Sequence, residues 1–585
     1  MDRLKHILAF TLFLSSLQPI IAQSSTSINE LNVLNKTMNE SIFIGTNVNT
    51  FVTGEALHYK LYCLNNDTNT PSPYSKIAYV ELIDGNKKSI FKQKLFLEKG
   101  TGNGDFFIPT TLETGNYKII GYTAWMLNQS KQEFFNIDIS VINPYQINLK
   151  KNDTLTTNQA VKNQATNNID KASTNNQFGF DLTTKIYASR EIVHLKLNAA
   201  SDELLNGNYS ISVRKTDALA SNKQLSPVDF VSTKKNLISE INTTDDVVLP
   251  ELRGEIISGK ITAKTVGNSV ENKLISLTIS GESFATKTAK TDKNGTFKFN
   301  LEKTYANPNL IIQIVEENRD DYSVEMIKLK PANYSTVTIN PVLTLNPELK
   351  NDIEQRAIAS QIENGYYNIK KDTLAQSNRY KLFFDPLSKE YILDKYTRFP
   401  TLKETIIEVV EGVYYKNNND KYTIHLKDYD EKGELSKPSL VIVDGLMIQD
   451  LNEFFKYKTT NVYKINIVKG GYYFGSQLFN GLIVFTTKNN DYETKLKGDF
   501  IITPEMERPL NKVNYFQPDY TDKTKNSRIP DYRYQLLWLP EVALDNKEQS
   551  ISFFTSDVTG AFEITLEGFT SKGLPVSIKE VIEVK

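Results

Sequence analysis

Short stretches in which apolar and polar residues alternate recur along most of the chain, whereas helical periodicity is scarce. Examples are HYKLYCL at 58–64 and GNYSISVRK at 207–215. A two-residue period places successive side chains on opposite faces of a sheet, so each stretch predicts a half-buried strand. Turn signals such as Asp84-Gly85 separate the stretches at the spacing of a sandwich. The sequence therefore predicts a mostly β fold.

The length of the chain requires several domains. A single hydrophobic core seldom exceeds roughly 250 to 300 residues, and this chain has 585. Its 39 % hydrophobic content is typical of packed domains and excludes an intrinsically disordered chain. Because 68 basic and 69 acidic residues leave a net charge of −1, no overall field favours nucleic acid, and we expect no nucleic-acid partner.

Residues 1–23 have the pattern of an export signal. Arg3 and Lys5 precede an apolar stretch, and small residues from Ala22 onward offer a cleavage site. Since the one cysteine is Cys63, the cleavage point lacks the cysteine of a lipoprotein, and no intramolecular disulfide can form. We expect Cys63 to be a small buried strand residue. No later apolar run reaches 18 residues, so no spanning helix is expected, and membrane association would come through a partner.

Changes in pattern divide the rest of the chain. The predicted units are a β-sandwich at 24–147, a polar linker at 148–176, a second β-sandwich at 177–250, a third at 251–340, a mixed adapter at 341–435, a small α/β unit at 436–495 and closing sandwich strands at 496–585. The adapter holds two helix candidates, at 348–367 and 401–415.

Three of these units resemble known modules. The segment FIGTNVNTFVTGEALHYKLYCL at 43–64, with the strands that follow it, resembles a macroglobulin-type β-sandwich. The stretch 251–331, with GKIT and TDKNGTFKF, resembles the carboxypeptidase-regulatory-like sandwich. SLVIVDGLMIQDLNEFF at 439–455, continued by 461–488, resembles the plug of TonB-dependent receptors. Together these resemblances imply an exported Bacteroidetes envelope protein. Its expected location is the periplasm or the outer membrane, with the cell surface as an alternative.

The resemblance to a plug departs from its family at one point. A receptor of that family needs a closed barrel after the plug, because an open sheet edge is not tolerated in lipid. Only 489–585 follows the plug-like unit, too little for a barrel of twenty or more strands. We therefore expect a plug-like fold that serves as a docking module, and a chain of macroglobulin-like or immunoglobulin-like β-sandwiches with one small α/β domain.

Candidate residues for docking lie in GGYYFGS. The two glycines before Tyr472, Tyr473 and Phe474 make a flexible aromatic segment that presents a contact surface, or that packs under the sheet. Asp444, which precedes Gly445, is interpreted as a turn residue, with a ligand contact as the alternative.

No catalytic, cofactor or metal site is predicted. The histidines His6, His58, His194 and His425 lie far apart without metal-ligand spacing, and no nucleophile elbow or phosphate-binding loop occurs. The acidic segment KDYDEKGE at 427–434 is interpreted as a solvated turn, with a calcium site as the alternative.

Two function classes follow, and a third is weaker. The first is a non-enzymatic scaffold or accessory subunit of an outer-membrane assembly, whose partner is an outer-membrane protein or lipoprotein. The second is an envelope hydrolase whose catalytic residues come from separate loops. The third is a carbohydrate- or peptide-binding surface protein, which sandwich loops readily support.

Overall fold

The computed structural model describes residues 28–146, 178–219, 224–234, 240–242, 247–343, 345–375, 382–427, 438–475, 477–522, 524, 528–544 and 546–585. The expected signal (1–23), the polar linker (148–176) and nearly all of the acidic segment at 427–434 lie outside these ranges. In the described part the fold is mostly β, as the alternating pattern predicts. No helix there is long and apolar enough to cross a membrane.

The first sandwich spans residues 40–142 and follows helix α1 (Ile28–Thr37). Its strands are β1 (Glu40–Thr46), β2 (Thr50–Val52), β3 (Ala56–Asn65), β4 (Ile77–Ile83), β5 (Ser89–Phe96), β6 (Thr101–Phe107), β7 (Gly115–Tyr122) and β8 (Phe135–Ile142). They form two sheets, β1-β3-β6 and β2-β8-β7-β4-β5, around one apolar core. Cys63 of β3 is fully buried in that core, which confirms its predicted packing role.

The next strands form only half of a sandwich. They are β9 (Phe178–Leu182), β10 (Ile186–Tyr187), β11 (Ile192–Ala199) and β12 (Gly207–Lys215), and the short helix α2 (Pro227–Thr233) follows.

The third sandwich begins at Glu255. Its strands are β13 (Glu255–Ala263), β14 (Leu274–Ile279), β15 (Ala285–Lys290), β16 (Thr296–Leu301), β17 (Ile311–Ile314) and β18 (Tyr322–Met326). The turn before β16 forms because the Asp292 carboxylate accepts bonds from the backbone N–H groups of Asn294 and Thr296, both at 2.9 Å.

Both helices expected between 341 and 435 are present, as α3 (Lys350–Gly365) and α4 (Leu402–Val409), and the short strand β19 (Thr373–Leu374) lies between them. Helix α4 starts at a capping box. The Thr401 hydroxyl accepts a bond from the Glu404 N–H at 3.2 Å, and the Glu404 carboxylate accepts one from the Thr401 N–H at 3.0 Å.

The α/β domain spans residues 389–487. Strand β20 (Lys389–Ile392) precedes α4. The elements after α4 are β21 (Val413–Asn418), β22 (Lys421–Leu426), β23 (Leu440–Val443), β24 (Leu446–Met447), α5 (Leu451–Phe454), β25 (Val462–Phe474) and β26 (Gln477–Thr487). The sheet order is β20-β25-β26-β23-β24, with β23 parallel to β26. The domain thus begins inside the stretch that the sequence assigned to an adapter.

The C-terminal strands complete two earlier sandwiches. They are β27 (Ile501–Ile502), β28 (Val513–Asn514), β29 (Gln535–Val542), β30 (Glu548–Phe554), β31 (Gly560–Thr570) and β32 (Pro575–Val584). Strand β27 extends the sheet β15-β14-β17 of the third sandwich. Strands β29 to β32 join β9 to β12 in the sheets β10-β32-β31-β12-β29 and β30-β11-β9, which form the second sandwich.

This pairing corrects the predicted domain boundaries. The segments 177–250 and 496–585 were assigned to separate units, but their strands share one core. Neither segment can bury both of its sheet faces alone, because each supplies only some of the strands of each sheet.

Candidate docking site

The hairpin of β25 and β26 positions the predicted docking residues. Its strands pair antiparallel, with Tyr472 opposite Phe479 and Tyr473 opposite Leu478. Since side chains alternate between faces, Tyr473 and Leu478 share the outer face, whereas Tyr472 and Phe474 share the inner face. Tyr473 is 72 % exposed and Leu478 44 %, but Phe474 is only 8 % exposed. The three aromatics therefore do not form one surface.

The inner face of the hairpin packs on aromatic rings from the chain that enters the α/β domain. The ring of Phe383 lies 5.2 Å from the ring of Phe474 and 6.4 Å from that of Tyr472, measured between centroids. Phe384 is fully buried beneath Phe383. Burial also raises the pKa of Tyr472. Tyr472 and Phe474 thus hold the hairpin in place, and of the three aromatic residues only Tyr473 is largely exposed.

Asp444 is a structural residue of the turn between β23 and β24, in line with the turn interpretation. Its φ of 48° is left-handed, a region that Asp tolerates better than most residues. The carboxylate accepts bonds from the N–H groups of Thr487 at 2.8 Å and Tyr492 at 3.0 Å, and from the Thr487 hydroxyl. Burial raises the pKa of Asp444, and these bonds oppose that shift. The turn is thereby locked to the end of β26.

The same turn joins the α/β domain to the third sandwich. The carbonyl of Gly445 accepts bonds from the hydroxyls of Thr278 (2.9 Å) and Thr286. Gly445 has a φ of 93°, and a Cβ there would lie 2.9 Å from the Cβ of Phe284. Only glycine allows this close approach with this backbone conformation. The turn between β23 and β24 is therefore fixed against the face of the third sandwich.

A cleft lies between the hairpin and strand β15, beside the point where the Thr288 hydroxyl donates to the Phe474 carbonyl at 3.5 Å, and we call it the edge groove. It has a volume of about 500 Å³ and is lined on one side by Phe383 and by Tyr472 and Phe474 of the α/β domain. Lys287 of β15 and Lys303 line the other side. The hairpin thus offers two surfaces, its exposed outer face and this partly aromatic groove.

A second candidate region lies where the first and second sandwiches meet helix α3. The guanidinium of Arg356, 1 % exposed, donates to the Glu55 carboxylate (Nε to Oε1, 3.0 Å) and to the Thr50 carbonyl at 2.8 Å. Arg214 of β12 donates to the same carboxylate at 3.1 Å. Burial raises the pKa of Glu55, but the charges of Arg356 and Arg214 outweigh burial and hold it below its ordinary value.

Cavities of about 250 and 570 Å³ flank this ionic cluster, and Trp538 lines both. His58 lines the smaller cavity, with its ring between those of Tyr515 (4.7 Å) and Trp538 (5.8 Å). Burial, with the charge of Arg214, lowers the pKa of His58 to about 3. A histidine held neutral in this way does not exchange protons near neutral pH, so it is poorly suited to acid–base catalysis.

The other described histidines, His194 and His425, line none of the cavities described above. The Nδ1 atom of His194 lies 2.9 Å from the Ser552 hydroxyl on an exposed sheet face, and neither residue lines a cavity described above. His425 stacks on Tyr414. Within the described ranges, no three His, Cys, Asp or Glu residues are grouped so that they could hold a metal ion.

Sequence reasoning missed Glu55, Arg214 and Arg356 as a cluster. Arg356 donates to a residue 301 positions away, and no local pattern signals such a partner. For Phe383, the adjacent Phe384 was the one available signal, since paired aromatics seldom both face water.

Comparison with known proteins assigns no family to the chain, since no protein-family profile and no curated protein matches it. Among solved structures it is similar to Escherichia coli alpha-2-macroglobulin activated by porcine elastase, at 9 % identity and a TM-score of 0.23, over 93 % of this chain and 44 % of that one. For E. coli alpha-2-macroglobulin in its native conformation, the identity is 10 % and the TM-score 0.24, over 94 % and 40 %.

Dimeric latent PorU from Porphyromonas gingivalis matches at 8 % identity and a TM-score of 0.15, over 50 % of this chain and 33 % of that one. The chain spans less than half the length of the macroglobulins. Similarity at these TM-scores carries no argument about function. What the structure itself defines is a multidomain β-sandwich protein with one α/β domain.

Proposed function

We propose that the chain is an exported, non-enzymatic scaffold that docks an outer-membrane protein or lipoprotein through its α/β domain. The observation that carries this proposal is the outer face of the hairpin, where Tyr473 and Leu478 form an exposed cross-strand pair. An aromatic residue beside an aliphatic one on a rigid support is typical of a contact surface that a partner covers. Export rests on the signal pattern at 1–23.

The hairpin is a rigid support because its inner face is packed and its base is bonded. Phe474 lies in an apolar cluster with Phe384 and Val468, and Asp444 ties the neighbouring turn to β26. Little conformational entropy is therefore lost when a partner covers the outer face. This favours a docking role for the α/β domain over a purely architectural one.

The experiment uses a double variant that carries both Tyr473→Ser and Leu478→Ser. Its recovery of the partner in pull-downs from native membranes is compared with that of the wild-type chain. We expect thermal stability within about 2 °C of wild type, because both side chains are exposed, and a large loss of the recovered partner. The control is Tyr463→Ser, an exposed tyrosine at the other end of β25, which should recover the partner fully. Full recovery by the double variant would exclude the outer face as the docking surface.

The hydrolase alternative has one structural candidate, the His194–Ser552 pair. It receives less support, because neither residue borders the cavities described above and the sheet face around it is open. Turnover of an envelope substrate that is lost in Ser552→Ala would favour this alternative over the scaffold.

A further inference from the structure

Strand β15 lies at the edge of its sheet and pairs only with β14. The direction of its free backbone groups follows from the neighbouring pair. The Val315 N–H donates to the Leu274 carbonyl at 2.8 Å, so Leu274 directs its backbone groups toward β17. With a two-residue period, Ile275, Leu277 and Ile279 must direct theirs toward β15.

The partners of those three residues in β15 are Ala289, Lys287 and Ala285. The backbone N–H and C=O groups of the intervening residues Thr286, Thr288 and Lys290 consequently point away from the sheet. Within the described part of the chain no residue hydrogen-bonds them. They form an open strand edge of the kind that pairs readily with an added strand.

This open edge borders the edge groove. Thr286, Lys287 and Thr288 all line the cavity, so the groove runs beside the strand. A strand added there would alternate its side chains between two unlike walls. One wall carries the rings of Tyr472 and Phe474, and the other carries lysine side chains.

The lysine wall is positively charged. Lys287 and Lys303 are the only charged residues among the described ones that line the groove. Lys287 pairs with the Glu302 carboxylate at 3.9 Å, and that carboxylate binds Arg253 more closely, at 2.6 Å. Burial, with the charge of Lys287, lowers the pKa of Lys303, so an incoming carboxylate would relieve an unfavourable pair of like charges.

We propose that the edge groove binds an extended acidic segment of a partner protein by strand addition to β15. The segment alternates carboxylate side chains, which face Lys287 and Lys303, with apolar side chains that contact the rings of Tyr472 and Phe474. Backbone hydrogen bonds to Thr286, Thr288 and Lys290 supply affinity, and the two walls supply specificity. This inference deepens the proposed docking function, rests on it, and names the class of segment that the partner presents.

The test uses fluorescein-labelled seven-residue peptides and the full chain. The probe alternates acidic and apolar residues, Asp-Val-Glu-Phe-Glu-Val-Asp. One control replaces each acid by Lys or Arg, and another has the same composition with the apolar residues placed together. We expect fluorescence anisotropy to show binding of the probe at least tenfold tighter than of either control. Hydrogen exchange should slow at the amides of Thr286, Thr288 and Lys290 when the probe is bound.

Two variants report on the two parts of the proposal. Thr288→Pro removes an outward N–H at an edge position where proline is tolerated, and should weaken binding of the probe at least tenfold, whereas Thr288→Ala, which removes only the hydroxyl that donates to the Phe474 carbonyl, should bind like wild type. The double variant Lys287→Gln and Lys303→Gln should also weaken binding of the probe at least tenfold, and it leaves the backbone N–H groups in place. Lys290→Gln is the matched control, because its side chain does not line the groove, and it should bind like wild type.

Absence of probe binding, or equal binding of the acidic and basic peptides, would overturn the proposal. So would protection of the same amides in a dimer of the chain without peptide, since a second copy would then be the occupant. Unchanged binding in both groove variants would overturn it as well. Tyr473 does not line the groove, so failure here is separable from failure of the membrane pull-down.

Discussion

Arg356 is charged but 1 % exposed, and replacing it by methionine tests whether helix α3 joins the first two sandwiches through an ion cluster. Methionine keeps the unbranched stem and the helix propensity of arginine. The substitution removes the positive charge that pairs with Glu55, together with the bond to the Thr50 carbonyl at 2.8 Å. The contact to Asp217 at 3.4 Å is lost too.

The structure sets the size of the effect. Removing one partner of a buried ion pair costs about 3 to 5 kcal/mol, and the lost carbonyl bond adds about 1 kcal/mol. Glu55 retains Arg214 at 3.1 Å and the Val52 N–H at 2.9 Å, which reduces the penalty. We therefore expect Arg356→Met to lower the free energy of unfolding by about 3 kcal/mol.

The assay is urea unfolding followed by tryptophan fluorescence, because Trp538 lies beside the cluster. Glu55→Gln removes the other charge, so the double variant should be less destabilised than the sum of the single variants by about 2 kcal/mol. The control is Lys350→Met on the same helix, whose exposed pair with Glu354 should contribute under about 0.5 kcal/mol. Additive single effects would refute the coupling, and a loss under about 1 kcal/mol for Arg356→Met would refute its structural role.

Two further substitutions test carboxylates elsewhere in the chain. Asp444→Ala removes the bonds to Thr487 and Tyr492 at a residue with left-handed φ, and should destabilise the α/β domain by about 2 to 4 kcal/mol in thermal unfolding. Asp444→Asn should recover part of the lost stability. Equal stability of Asp444→Ala and wild type would contradict this prediction. Burial raises the pKa of Glu567 from 4.5 to about 7, so its contribution to stability is full below pH 4.5 and is lost as the pH rises through 7. Glu567→Gln should therefore raise stability at pH 8 by about 1 to 3 kcal/mol and flatten the decline between pH 5 and 8 in urea titrations, and a decline as steep as that of wild type would count against it.

Local features of the fold were predictable because they depend on neighbours in sequence. The two-residue period predicted strands, and the Asp444-Gly445 pair predicted a turn. The structure has that turn between β23 and β24, and the hydrogen bond to Thr487 gives Asp444 a structural role there. Applied strictly, the same period would also have placed Tyr473 on the face opposite Tyr472 and Phe474. The sequence analysis treated the three aromatics together, and the structure separates them by that alternation.

Pairing between distant strands was not predictable, because nothing local to a strand identifies its partner. Strand β12 pairs with β29 and β31, more than 300 residues later in the chain. The burial of Arg356 has the same origin, since a charged residue on a helix is normally solvated, and here Glu55, Asp217 and the Thr50 carbonyl replace that solvation. Registers and ion clusters of this kind arise from tertiary packing, not from composition.

The route of the chain explains how the hairpin of β25 and β26 is held firmly between sandwiches. Strands β12 and β29 are neighbours in one sheet, so the third sandwich and the α/β domain are inserted between two adjacent strands. The insert is also tied to the first sandwich, because Glu255, 1 % exposed, accepts bonds from Lys94 at 2.9 Å and Arg508 at 2.8 Å. An insert anchored at both ends and at its side resists the rotation that a single linker would allow. The insert, and the hairpin within it, is therefore anchored to the first and second sandwiches, which is the support that the proposed docking role needs.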